Sequence, residues 1–216
     1  SILSPPGSCD SLHGMLHGKR ILLIVAGGIA AFKSLELIRR LRERGASVRC
    51  ALTEAGARFV TPLSLQALSE DKVYGDMFSL TDESEMGHIQ LSRDADLLVV
   101  APATANILAR MAGGLADDLA ATVLLATDKP VLVAPAMNVR MWTHAATVAN
   151  VETLRKRGVT VVGPNDGAMA CNEHGPGRMS EPEEIVAAIE SMLVRERPLK
   201  GKRALVTSGP TREALD

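Results

Sequence analysis

Short apolar runs alternate along this chain with amphipathic stretches. Ile21–Val25 (ILLIV) reads as a buried strand. The stretch from about Ile29 to Arg44 reads as a helix with Leu35, Ile38 and Leu41 on one face, closed by Gly45. Further strands are predicted at Val48–Leu52, Leu97–Ala101, Val131–Ala134 and Thr160–Val162. Thr53 is placed to cap a helix through Phe59, and Thr61-Pro62 to open another through Leu68. Helices at about Ala103–Met111, Asp117–Leu125, Thr143–Arg157 and Pro182–Val194 fill the remaining gaps. Most of the strand runs are apolar throughout, as expected of strands covered on both faces. The rhythm therefore predicts an α/β fold, a doubly wound parallel sheet in three αβα layers. Such sheets bind ligands beyond the carboxyl ends of their strands. The positions to inspect are Gly27-Gly28, Thr53, Pro102–Asn106, Pro135–Asn138 and Pro164 onward.

Composition narrows the function classes. The 24 Lys and Arg nearly balance 25 Asp and Glu, so no strong field exists for nucleic acid or an anionic membrane. Aromatic residues are only 2%, too few for a single-strand stacking platform. The longest apolar run, Ile21 to Phe32, holds two glycines and falls short of the roughly 20 residues of a membrane-spanning helix. The first residues carry no basic segment followed by an apolar one, so secretion is not signalled. Cys9, Cys50 and Cys171 are odd in number and far apart, forming neither a zinc spacing nor a disulfide framework. That usage points to the cytoplasm. With 216 residues, one large domain and a remainder are expected. Residues 1–18 read as a disordered leader, 19–196 as the domain, and 197–216 as a linker and a restart. In that restart Ala204–Thr207 runs into Ser208-Gly209-Pro210, repeating the pattern at Arg20, like the first strand of a second nucleotide-binding domain.

Five segments could carry chemistry. Gly27-Gly28, between a strand and a helix, lets backbone N–H groups approach a phosphate or a ring; it reads equally as a tight turn. It is neither GxGxxG nor a P-loop, and Glu54 is poorly placed to imitate the ribose-binding acid of nicotinamide proteins. Thr104 and Asn106, after a strand ending in proline, form a polar rim, or Thr104 simply caps a helix. Asn138 offers a donor and an acceptor beside Met137, Met141 and the single Trp142, or the segment is a turn with a Met–Trp core contact. Gly167–Met179 surrounds Cys171 with glycines and a proline, which suggests a mobile flap. Its thiol is an acid, a nucleophile or incidental. His88 precedes Asp94 and could titrate near neutrality or be merely exposed.

Taken in order, GGIAA (from Gly27), GHIQL (with His88), APATAN (from Ala101), PAMNxxMW (from Pro135) and the cysteine loop ending in GPGRM resemble the homo-oligomeric flavin-containing cysteine decarboxylases, and among them the phosphopantothenoylcysteine decarboxylases. The resemblance covers about Gly18 to Val194, and the C-terminal LKGKRALVTSGPTREALD is similar to the start of the phosphopantothenate–cysteine ligase domain in fused bacterial members. It implies a Rossmann-like flavoprotein that binds FMN through Gly27, Gly28, Ile29, Thr53, Thr104, Ala105, Asn106 and Ala136. It further implies Asn138 and Met141 at the substrate, with Asn138 on the carboxylate, and His88 and Cys171 as catalytic groups. The implied reaction oxidises the cysteinyl thiol to a thioaldehyde, which serves as the electron sink for loss of CO₂. Protonation by Cys171 and hydride return then give 4′-phosphopantetheine. A homotrimer assembling to a dodecamer is implied as well. Thr104 and Asn172 depart from the family's usual Ser and Gly. A same-fold flavin protein acting on peptidyl-cysteine, or serving as a regulatory binding protein, is the alternative. So is a nicotinamide dehydrogenase resting only on the glycine turn and Glu54.

Overall fold

The computed structural model describes residues 14–75, 83–168 and 174–194, with backbone only for 83–86 and 88. Six parallel strands form one sheet. They are β1 (Arg20–Val25), β2 (Ser47–Leu52), β3 (Val73–Gly75), β4 (Leu97–Ala103), β5 (Val131–Pro135) and β6 (Thr160–Val161). Their spatial order is β3-β2-β1-β4-β5-β6. The chain winds outward in one direction through β3, returns, and winds the other way from β4. The order therefore reverses between β1 and β4, where Leu23 pairs with Cys50 on one side and Val99 on the other. This is the switch point at which doubly wound sheets bind ligands.

Alternation along each strand builds two cores. Ile21, Leu23 and Val25 of β1 join Leu97 and Val99 of β4 on one face, under α1 (Phe32–Glu43), α2 (Pro62–Ser69) and α8 (Pro182–Leu193). Leu22, Ile24, Leu98 and Val100 face the other layer, formed by α3 (Glu83–Asp94), α4 (Ala105–Gly113), α5 (Leu119–Leu125) and α7 (Ala145–Lys156). Both faces are buried, which is why these strands read as unbroken apolar runs. Helix α1 ends as its sequence requires. Gly45 takes φ +88° and donates to the Arg42 carbonyl, while Ala46 donates to Leu41, so two terminal carbonyls are satisfied.

Several boundaries differ from the sequence expectation. The helix expected from Thr53 to Phe59 is a single 3-10 turn at Gly56–Arg58. Glycine and two alanines there close around the Thr53 hydroxyl, which accepts from the Gly56 N–H at 3.0 Å. The helix expected over Thr143–Arg157 is α7 (Ala145–Lys156), and a separate short helix, α6 (Val139–Thr143), precedes it. His144 is extended at the break and caps α7 through Nδ1, which accepts from Ala146 N–H at 3.1 Å. Elements that the hydrophobic pattern does not predict include edge strand β3, short helix α6, and helix α3, which carries His88. The segment expected as a flap has strands for flanks, β7 (Asn165–Ala168) and β8 (His174–Arg178), paired antiparallel. The leader expected over residues 1–18 is also revised. Gly14–Gly18 fold onto α1, Leu16 is fully buried, and its N–H donates to the Arg44 carbonyl at 3.0 Å. Ala204–Thr207 and the rest of 197–216 lie outside the described residues. Among the described residues no helix is long and apolar enough to cross a membrane.

Candidate functional site

Among the described residues, two cavities open at the carboxyl end of the sheet. The larger, about 960 Å³, lies over the switch point and is lined by Gly27, Gly28, Thr53, Thr104, Asn106 and Asp118, among others. The smaller, about 510 Å³, lies between the first turns after β1 and the β7–β8 ribbon. Its lining includes Ile29, Phe32, Lys33, Ala136, Asn138 and Arg178. Gly28 lines both.

The glycine pair is required for two different reasons. Gly27 has an ordinary backbone, but a Cβ there would stand 2.8 Å from the Cβ of Ala55, so the turn after β2 can approach only a glycine. Gly28 takes φ +122°, a region L side chains avoid, and nothing lies within 4 Å of where its Cβ would be. The open space above Gly28 is a cradle in which a flat group can touch backbone directly. The 3-10 turn Ile29–Ala31 follows immediately and leads into α1.

The threonines are held by their own turns. Thr53 donates to the Val25 carbonyl at 3.4 Å while accepting from Gly56. Thr104 caps α4, its hydroxyl accepting from the Ile107 N–H at 3.3 Å. The capping reading of Thr104 is thus realised, and Thr104 lines the cavity as well. The first N–H groups of α4, at Ala105 and Asn106, have no partner within the helix and remain for an acceptor. On the far wall Arg110 binds Asp117 at 2.5 Å and Asp118 at 2.7 Å, and Asp118 also caps α5 through Ala121 N–H at 2.7 Å.

Asn138 follows β5 and caps α6, its Oδ1 accepting from the Met141 N–H at 2.8 Å. With the carbonyl so fixed, the amide NH₂ faces outward as a donor. The chain after β5 is tied to the sheet by Ala136 N–H to the Ala103 carbonyl and to the ribbon by Met137 N–H to the Gly177 carbonyl, each at 3.0 Å.

Of the sequence-derived site residues, the larger cavity gathers Gly27, Gly28, Thr53, Thr104 and Asn106, and the smaller gathers Gly28, Ile29, Ala136 and Asn138. Ala105 sits between at the start of α4, and Met141 is exposed one turn beyond Asn138, lining neither cavity. His88 lies on α3 with its backbone alone described, and Cys171 lies outside the described residues, between β7 and β8 in sequence. Lys33 and Arg178 were missed. Arg178 was in plain sight in GPGRM but carried no assigned role, and Lys33 had no sequence signal beyond its place after the glycine turn. Glu54 lines the larger cavity but is exposed and pairs only loosely with Arg58, at 3.9 Å.

The family model described as Flavoprotein matches residues 10–194. The chain belongs to the flavoprotein family. Its curated relatives include the coenzyme A biosynthesis bifunctional protein CoaBC of Vibrio vulnificus, 49% identical over 201 residues, 93% of this chain and 50% of that protein. The counterpart from Bacillus subtilis is 45% identical over 204 residues, again half of that protein. This flavoprotein chain therefore spans about half the length of the curated relatives it matches. Among solved structures, a PPC decarboxylase mutant complexed with pantothenoylaminoethenethiol is 34% identical, with a TM-score of 0.71, covering 81% of this chain and 97% of that one. The FMN binding protein AtHal3 is 35% identical with a TM-score of 0.68, covering 81% and 97%.

Proposed function

We propose that the chain binds FMN and decarboxylates 4′-phosphopantothenoylcysteine to 4′-phosphopantetheine, as the decarboxylase part of a bifunctional protein of coenzyme A biosynthesis whose other part is a phosphopantothenate–cysteine ligase. The observation that carries this reading is the pair of cavities meeting at Gly28. One lies at the switch point and suits a cofactor, and the other is walled by Asn138 and the ribbon and suits a substrate. The residues present fit FMN: Gly28 exposes bare backbone to a flat group, Gly27 and Ala136 add little bulk, and Ile29 offers apolar surface beside them. Thr53, Thr104 and the N–H groups of Ala105 and Asn106 supply polar contacts at a helix start. FMN bound there supplies reversible two-electron chemistry, so the overall reaction carries no net oxidation.

The chain's own residues then bind and protonate. Asn138 donates its NH₂ to the substrate carboxylate, a contact its capping bond pre-orients. Met141, on the next turn, offers adaptable apolar surface to the substrate chain. His88, carried on α3, serves as the acid–base group during thiol oxidation and loss of CO₂, and Cys171 delivers the proton to carbon. Ile29 and Phe32 are 69% and 58% exposed beside the cavities. Such large apolar surface at a site mouth supports a subunit contact there, in line with a trimer that assembles further in the full-length protein.

The test is to release the cofactor, identify it by mass, and measure CO₂ from 4′-phosphopantothenoylcysteine in parallel with a peptide ending in cysteine. FMN and turnover of the small substrate are expected; turnover of the peptide alone would assign the site to peptidyl-cysteine. Cys171→Ser should accumulate the oxidised enethiol, and His88→Asn should keep flavin but lose CO₂ release. Near-normal turnover in both variants would remove these residues from the mechanism.

A further inference from the structure

The two cavities differ in charge. The larger is lined by Glu54, Asp117 and Asp118 against one cation, Arg110. Among the described residues the smaller is lined by two cations, Lys33 and Arg178, and by no acid. Both cations reach one carboxylate behind the wall. Lys33 Nζ lies 2.8 Å from Glu181 Oε1, and Arg178 Nη2 lies 3.3 Å from the same oxygen. Among the described residues, one negative charge is thus shared between two positive ones.

The two cations are not equivalent. The Lys33 side chain is only 11% exposed and spends a second donor on the Met179 carbonyl at 2.9 Å. Arg178 is 43% exposed, and its bond to Glu181 is the long one. A guanidinium has five N–H donors in a fixed fork suited to a phosphate edge. Its position is also constrained: a Cβ on Gly167 would stand 2.9 Å from Arg178 Cδ and 3.0 Å from Nη1. The arginine therefore lies flat against the backbone of the paired strand, with its approach set by a glycine.

We propose that Arg178, backed by Lys33 and Glu181, holds the 4′-phosphate of the substrate and so makes this cavity select phosphorylated over unphosphorylated pantothenoylcysteine. The inference rests on the substrate assigned above and extends it to a residue of the ribbon. The reacting carboxylate lies with Asn138, so the phosphate is the anion left for the arginine. The ribbon then contributes to binding through β8.

The experiment compares kcat/KM for 4′-phosphopantothenoylcysteine and for its dephosphorylated form. The native chain is expected to turn over both and to prefer the phosphorylated one. In Arg178→Gln, kcat/KM for the phosphorylated substrate should fall about 10- to 100-fold, the usual consequence of losing a charged hydrogen bond. The value for the dephosphorylated substrate should stay within about 2-fold. Arg178→Lys should keep part of the preference. High salt should erode the native preference, because ionic contacts at this exposure are screened. An equal fall for both substrates would show that Arg178 only braces the ribbon, and a salt-independent preference would also overturn the proposal. If the native chain turns over neither substrate while binding flavin, the substrate assignment itself falls, and this inference with it.

Discussion

Lys33, in the first turn of α1, donates to the carbonyl of Met179 at 2.9 Å across 146 positions of sequence. The bond joins the turn after β1 to the end of the ribbon, and the neighbouring contact to Glu181 extends it to the start of α8. Lys33→Met keeps the apolar stem but leaves the Met179 carbonyl without this donor. It should lower stability by about 1–3 kcal/mol, since an acceptor that loses its partner keeps its desolvation cost. A urea titration would read this as a lower midpoint at unchanged slope. An unchanged midpoint would mean the tie is dispensable.

The two glycines of the turn should fail in different ways. Gly28→Ala forces a side chain into φ +122° and should cost on the order of 1–3 kcal/mol, with less flavin per chain in visible absorption. Gly27→Ala should also lose flavin, through collision with Ala55. Adding Ala55→Gly to the second variant should restore part of the loss, and should do nothing for the first. Equal response of the two would contradict the separate causes.

Asn138→Asp separates capping from chemistry. Aspartate can still accept from the Met141 N–H, so thermal stability should hold within about 1 kcal/mol. It replaces an NH₂ donor with negative charge, so kcat/KM should fall by at least about 100-fold for a carboxylate substrate. A comparable fall in stability would show that Asn138 acts only as a cap.

Leu16→Ala tests whether residues 14–18 belong to the domain. Leu16 is fully buried against the α1 layer, so truncation should cost about 2–5 kcal/mol. A surface leader would tolerate it with almost no change.

Cys50, in the middle of β2, has its thiol pushed up to about 12 by burial. The raised value means the folded state keeps the proton that the unfolded chain releases above its ordinary value of 9.0. The contribution is fully present below that value and is lost as pH rises from 9 toward 12, by up to ~1.4 kcal/mol per pH unit. Cys50→Ala should flatten the alkaline limb of a stability–pH profile. The native thiol should also resist alkylation at pH 8 until the protein is unfolded. Rapid labelling of the folded chain would disprove the burial argument.

The central elements were legible in the sequence because their cause is local. Ile21–Val25, Leu97–Ala101 and Val131–Ala134 are apolar throughout, and only strands buried on both faces are so. The edges were harder to see. Val73–Gly75 is a short, half-buried strand whose pairing partner, not its own pattern, makes it a strand, whereas the equally short Thr160–Val161 is predicted from its β-branched run. Helix α3 has only a weak apolar stripe: Leu91 is buried, whereas Ile89 is 40% exposed. The break between α6 and α7 depends on His144 acting as a cap, a role histidine seldom signals.

The sequence by itself determined the doubly wound sheet, the strand-end positions of Gly27, Gly28, Thr53, Thr104 and Asn138, and the family these residues resemble. Those are consequences of periodicity and of short motifs, and both are written within a few residues. Only the tertiary structure decided that the site is two cavities joined at Gly28, that Leu16 is core, and that Lys33 and Arg178 meet on Glu181. These follow from contacts between residues far apart in the chain, which side-chain packing and charge pairing select and which no local pattern records.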